Sequence, residues 1–153
     1  MKIPDLPAYQ IADLVRTKQL SALEVLEANL ERVRSVDGRP GSLEPGPITP
    51  EDESKVHAFT RLTEDLARRQ AEAVDRQLAS GEDPGPLAGV PITVKDIFTV
   101  QGVEATAASR ILGNYVAPYT ATVVERMEAQ GAVILGKVNL DEFTYGSSSE
   151  SSA

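Results

Sequence analysis

Thr120-Ala-Thr-Val-Val-Glu-Arg-Met-Glu-Ala-Gln-Gly131-Ala-Val-Ile-Leu135 decides the fold class. Thr120 has the hydroxyl of a helix cap. Val123, Val124 and Met127 follow at helical spacing, and Gly131 suits a left-handed helix end. Ala132-Val-Ile-Leu135 then runs apolar without alternation, as a strand buried on both faces does. Upstream, Gly89-Val-Pro-Ile-Thr-Val94 reads as another strand. Strand, helix and buried strand in that order predict an α/β fold, a sheet packed under helices.

Outward from this unit the chain is mostly helical. Ile11, Leu14 and Val15 share a helix face behind Pro7. Ser21-Ala-Leu-Glu24 has the form of a capping box, in which serine and glutamate satisfy each other's backbone N–H groups. Leu23, Leu26, Leu30 and Val33 continue as one face until Asp37-Gly38. Residues 38–54 are rich in proline and glycine and read as a surface loop, either a tolerated insertion or a lid or partner contact. Val56-His-Ala-Phe59 is expected as a short strand. Thr63 to Ser80 is expected as a charged helix burying Ala67, Ala71, Val74 and Leu78 and stopped by Asp83-Pro-Gly-Pro86. Asn139-Leu-Asp-Glu142 looks like a second capping box, opening a short helix to Tyr145. The serine-rich end, Gly146 to Ala153, reads as a tail.

Composition narrows the chemistry. The 153 residues suit one domain, and the net charge of −8 makes the surface a poor holder of phosphate backbones by itself. Nucleic acid reached through a partner stays open. With no cysteine, disulfides, thiol nucleophiles and zinc–thiolate sites are excluded. His57 is the only histidine, so no imidazole cluster exists; it reads as a structural or solvated residue. No apolar signal core follows Met-Lys-Ile-Pro-Asp-Leu-Pro, and no apolar run reaches membrane-span length, so a cytoplasmic protein without a membrane contact is expected.

Three patterns could carry chemistry. Gly131-Ala-Val-Ile-Leu-Gly136-Lys137-Val138 nearly matches a phosphate-binding loop. Its inner residues are strand-like, and Val138 offers no hydroxyl for magnesium, so the match is rejected. Lys95 stands at the carboxyl end of a strand, where open α/β sheets bind ligands. Two readings of it stay open: a lysine extending to solvent, or one desolvated there, neutral and able to act as a base for a serine hydroxyl. The serines at 147–149 and 151–152 are a solvated tail or candidate nucleophiles and oxyanion donors.

Gly85-Pro-Leu-Ala-Gly-Val-Pro-Ile-Thr-Val-Lys-Asp96 resembles the lysine-bearing motif of the amidase signature family. Ala121 to Lys137 resembles that family's next helix and strand. Asn139-Leu-Asp-Glu-Phe-Thr-Tyr-Gly-Ser-Ser148 resembles the segment after it, and with Glu150-Ser-Ser-Ala it is most similar to the branch serving tRNA-dependent amidotransferases. The resemblance implies the N-terminal portion, residues 1–153, of a single domain in which helices cover a mixed sheet, with residues 38–54 inserted. It implies Ser–cis-Ser–Lys chemistry, with Lys95 as the lysine and Gly146, Ser147 and Ser148 as weaker substrate contacts. It implies glutamine as substrate, B and C partner subunits, and a misacylated tRNA reached through the complex. No cofactor is expected on this chain; ATP and Mg would be used through a partner subunit. The Gly-Gly-Ser-Ser-Gly-Gly stretch and the second serine motif are absent from these residues, so the isolated chain is expected to be inactive, with unpaired sheet edges and marginal stability. Another amide hydrolase, or a short non-catalytic binding protein, is the alternative.

Overall fold

The computed structural model describes residues 2–42, 46–148 and 150–153, so part of the 38–54 loop lies outside the described residues. Helix α1 (Ala8–Arg16) buries Ile11, Ala12 and Val15. Helix α2 (Ala22–Val36) begins on the expected capping box. Glu24 N donates to Ser21 Oγ at 3.0 Å, and Ser21 N donates to Glu24 Oε2 at 2.8 Å. A second cap comes from far along the chain: Asp75 accepts from Ala22 N at 2.7 Å and Leu23 N at 3.2 Å. An anion at a helix N-terminus also meets the positive end of the helix dipole. The buried residues of α2 are Ala22, Val25, Leu26 and Leu30, whereas Leu23 and Val33 are only half-buried, so the inward face is rotated from the one expected.

The first strand is displaced from its expected place. β1 covers Phe59–Leu62, not Val56 to Phe59. His57 has φ +53°, a left-handed conformation that no strand contains. Asp37, buried where α2 ends, accepts from Ala58 N at 2.7 Å and Phe59 N at 3.1 Å. Those donors are held by a carboxylate, and sheet pairing starts only at the end of that clamp. Helix α3 (Glu64–Ser80) follows Thr63 and buries Ala67, Ala71 and Val74 as expected, whereas Leu78, the fourth residue expected on that stripe, is only half-buried. It ends on Gly81 at φ +84°, ahead of Asp83-Pro-Gly-Pro86.

β2 (Pro91–Lys95), α4 (Thr122–Glu128) and β3 (Val133–Val138) supply the predicted strand–helix–strand unit. The sheet order is β1-β3-β2, with β3 antiparallel to β1 and parallel to β2. Successive residues of β3 serve opposite faces. Val133 and Leu135 join the core built by α1, α2 and α3, while Ile134 joins Val94, Val100 and Val124 of α4. The mixed sheet is thus covered on both faces, as expected. Thr120 does not cap α4; Ala121 holds that position, and Thr120 Oγ1 accepts from Gln101 N at 3.0 Å. Among the described residues the outer edge of β2 is unpaired, and Ile97 and Phe98 beyond it are exposed. No described helix is long and apolar enough to cross a membrane.

Candidate active site

Lys95 is the last residue of β2, its Cα opposite Val138 of β3. Its side chain is exposed and makes no hydrogen bond or ion pair among the described residues. The burial that the base reading calls for is therefore not supplied by these residues, because β2 is an edge strand here.

The next residue is the opposite case. Asp96 is 2% exposed and Lys137 is fully buried, and they form an ion pair with Nζ 2.5 Å from Oδ1. Asp96 Oδ2 accepts from Thr106 Oγ1 at 2.7 Å and Thr106 N at 3.2 Å. Lys137 Nζ also donates to Glu104 O at 3.4 Å, and the Glu104 carboxylate pairs with Arg61 of β1. Residues 104–106 are thereby tied to the carboxyl ends of β2 and β3 and to Arg61 of the antiparallel β1.

The segment after β3 closes on the same loop. The expected capped helix from Asn139 is instead a single 3-10 turn, Glu142–Thr144, whose cap residue Asp141 makes no capping bond. Asn139 Oδ1 accepts from Leu140 N at 2.9 Å and from Ser152 Oγ at 2.6 Å, so it is not free to cap. Phe143 N donates to Ala107 O at 3.0 Å, Ser109 Oγ to Glu142 Oε1 at 2.5 Å, and Ala153 N to Ala108 O at 3.0 Å. Ser151 is bonded to Asp141 through its N–H and hydroxyl. Ser151 and Ser152 are thus not a free tail. Gly146, Ser147 and Ser148 are exposed, and none is hydrogen-bonded to Lys95 among the described residues. Gly146 packs against Asp141, where a Cβ would stand 2.6 Å from Oδ1. Ser149, another of the serines singled out, lies outside the described residues.

Ala107, Ala108, Phe143 and Thr144 all have φ between +49° and +65°. Left-handed backbone at a non-glycine residue costs about 1–2 kcal/mol, and such residues gather at functional sites. Here both pairs lie on the two segments that meet beyond β2 and β3.

The same region contributes to an open cleft of about 880 Å³, lined by Asp96, Thr106 and Asn139 together with Arg39, Asp52 and His57. Described residues of the 38–54 loop therefore line the cleft. His57 serves it structurally: Nε2 lies 2.9 Å from Asp52 O and Nδ1 3.2 Å from Arg39 O. No group of histidine and acidic residues among the described ones could hold a metal.

Sequence reasoning missed Asp96, Thr106 and Lys137 as a unit. One signal was present. Lys137 extends the buried apolar run 132–135, and a cation in that position demands a counter-charge nearby.

The Amidase family model matches residues 51–153. The A subunit of the glutamyl-tRNA(Gln) amidotransferase of Carboxydothermus hydrogenoformans is 41% identical over 152 residues, covering 99% of this chain and 28% of the relative. The protein of the same name from Gloeobacter violaceus is 48% identical over 144 residues, 94% of this chain and 26% of the relative. The peptide amidase of Stenotrophomonas maltophilia superposes with a TM-score of 0.75 at 26% identity, over 91% of this chain and 26% of that one. A vestigial protein complex tied to the origins of an s-triazine catabolic enzyme gives 0.79 at 34% identity, over 92% and 28%. The chain spans about a quarter of the length of the curated relatives it matches.

Proposed function

The chain belongs to the amidase family, and on that footing we propose that it forms part of the glutamine-hydrolysing A subunit of a tRNA-dependent amidotransferase. One observation supports this over another amide hydrolase. Eight relatives of that one name are 40–48% identical over 91–100% of this chain. Identity to the solved structures compared is 26–34%.

In this reading a serine from the remainder of the polypeptide attacks the side-chain carbonyl of glutamine. The C–N bond breaks, an ester to the serine forms, and ammonia leaves. The serine's proton passes through the second serine to the Lys95 amine, and the ammonium returns it to the departing nitrogen. Water then cleaves the ester to give glutamate. Gly146, Ser147 and Ser148 border the acyl cleft. The ammonia would go to a partner in the complex with B and C subunits, where ATP and Mg held by a partner subunit would supply the activation of misacylated Glu-tRNA(Gln) for conversion to Gln-tRNA(Gln), or of the equivalent substrate for Asn-tRNA(Asn). The exposed Lys95 beside an unpaired strand edge accords with a site completed by further chain.

The test is ammonia release from glutamine by the full-length protein in its complex. Lys95→Ala is expected to lower turnover about 10³-fold. The circular dichroism spectrum should not change, since the Lys95 side chain has no partner to lose among the described residues. Turnover near wild type would overturn the proton-relay role. Residues 1–153 alone are expected to release no ammonia, and steady release abolished by Lys95→Ala would refute that.

A further inference from the structure

Every polar atom of Asp96 is engaged. Its N–H donates to Val138 O at 3.0 Å, and its carbonyl accepts from Ala107 N at 3.2 Å. Its carboxylate holds Lys137 Nζ on one oxygen and Thr106 on the other. The Lys95 side chain, one residue earlier, makes no hydrogen bond or ion pair among the described residues, although its carbonyl accepts from Phe98 N at 2.9 Å. Stability is a poor reason for such an arrangement. A buried ion pair recovers its desolvation cost only with excellent geometry, and an apolar pair of similar volume is often as stable or more so. The bonds also converge on one place. They fix the residue after Lys95 to β3 and draw residues 104–107, including left-handed Ala107, against the same strand ends.

We infer that Asp96 and Lys137 are positioning residues. Their buried pair fixes the backbone from which Lys95 projects and holds the 104–107 loop beside it, so the lysine meets its proton donor without a search. The inference rests on the proposed amidase reading of Lys95. A displacement of about 1 Å from productive geometry is enough to cost ~10²-fold in rate.

The experiment uses the full-length enzyme in its complex and compares wild type, Lys95→Ala, Asp96→Asn/Lys137→Met and Thr106→Val. The double variant removes both charges together and leaves Thr106 an acceptor, so no lone buried charge remains. The double variant is expected to keep a cooperative thermal transition and a KM for glutamine within threefold. Its kcat should fall about 30- to 100-fold. A folded double variant with kcat within threefold of wild type would overturn the inference, as would a loss of kcat that only tracks the folded fraction. If the double variant does not fold, Thr106→Val decides. It leaves both charges in place and is expected to lower kcat about three- to tenfold at unchanged KM. An unchanged kcat there would refute the role. The underlying reading fails separately: inactive wild type, or a silent Lys95→Ala, sinks the amidase assignment, whereas loss in Lys95→Ala with unaffected pair variants sinks the positioning role alone.

Discussion

Replacing Asp37 by alanine tests whether one carboxylate ties α2 to β1. Asp37 is 3% exposed and takes Ala58 N at 2.7 Å and Phe59 N at 3.1 Å. In Asp37→Ala both donors lose their acceptor. The Phe59 N–H is buried and should cost about 2 kcal/mol unsatisfied; the Ala58 N–H is partly reached by water and should cost about 1. The expected loss is ~3 kcal/mol in urea unfolding of the chain. Asp37→Asn keeps one acceptor oxygen and should lose about half of that. Glu72→Ala is the control: its pair with Arg76 spans 3.6 Å between mostly exposed side chains, and its removal should change stability by under about 0.5 kcal/mol. A loss below about 1 kcal/mol for Asp37→Ala, or equal losses for the alanine and asparagine variants, would refute the clamp.

Two further outcomes follow from particular contacts. Burial pushes the Glu128 carboxyl above its ordinary value, against the bond from Gln70 Nε2 at 2.6 Å and with repulsion from Glu125 adding to it. Its contribution is therefore fully present below the ordinary glutamate range and lost as pH rises through the raised value. Glu128→Gln should unfold at higher urea than wild type at pH 7 and show little difference at pH 4; an equal gap at both would contradict the cause. Gly131→Ala should lose about 3 kcal/mol in the same assay, because φ is +85° and the new Cβ would stand 2.7 Å from Pro84 O. A loss under about 1 kcal/mol would mean that this turn relaxes freely.

What the sequence made legible was local. The Ser21–Glu24 box, the Ala67–Ala71–Val74 stripe and the β2–α4–β3 unit each announce themselves within a few residues, and all three formed. The misses involve partners far apart in sequence. β1 was placed too early because Asp37 and His57, not the apolar pattern, set its start. Asn139 reads as a cap by position, yet its oxygen is taken by Leu140 and Ser152. Of the candidate site, motif matching singled out Lys95 as a candidate. Its buried neighbours stayed hidden because Asp96 and Lys137 are 41 residues apart and neither matches a local spacing rule.

The order of strands in the sheet has a consequence for biosynthesis. Among the described residues β3 is the last strand in sequence and the middle one in the sheet, so β1 and β2 have no strand between them to pair with until it arrives. A ribosome that has released only the first 132 residues has released no completed sheet. The early helices can associate at that stage, since α2 and α3 pack directly on each other. The apolar face meant for Val133 and Leu135 would stay open to water and to other nascent chains. Emergence of six residues, Val133–Val138, then closes both ladders at once. A translational pause just before that point would prolong an aggregation-prone interval of synthesis, and a fast passage through it would shorten that exposure.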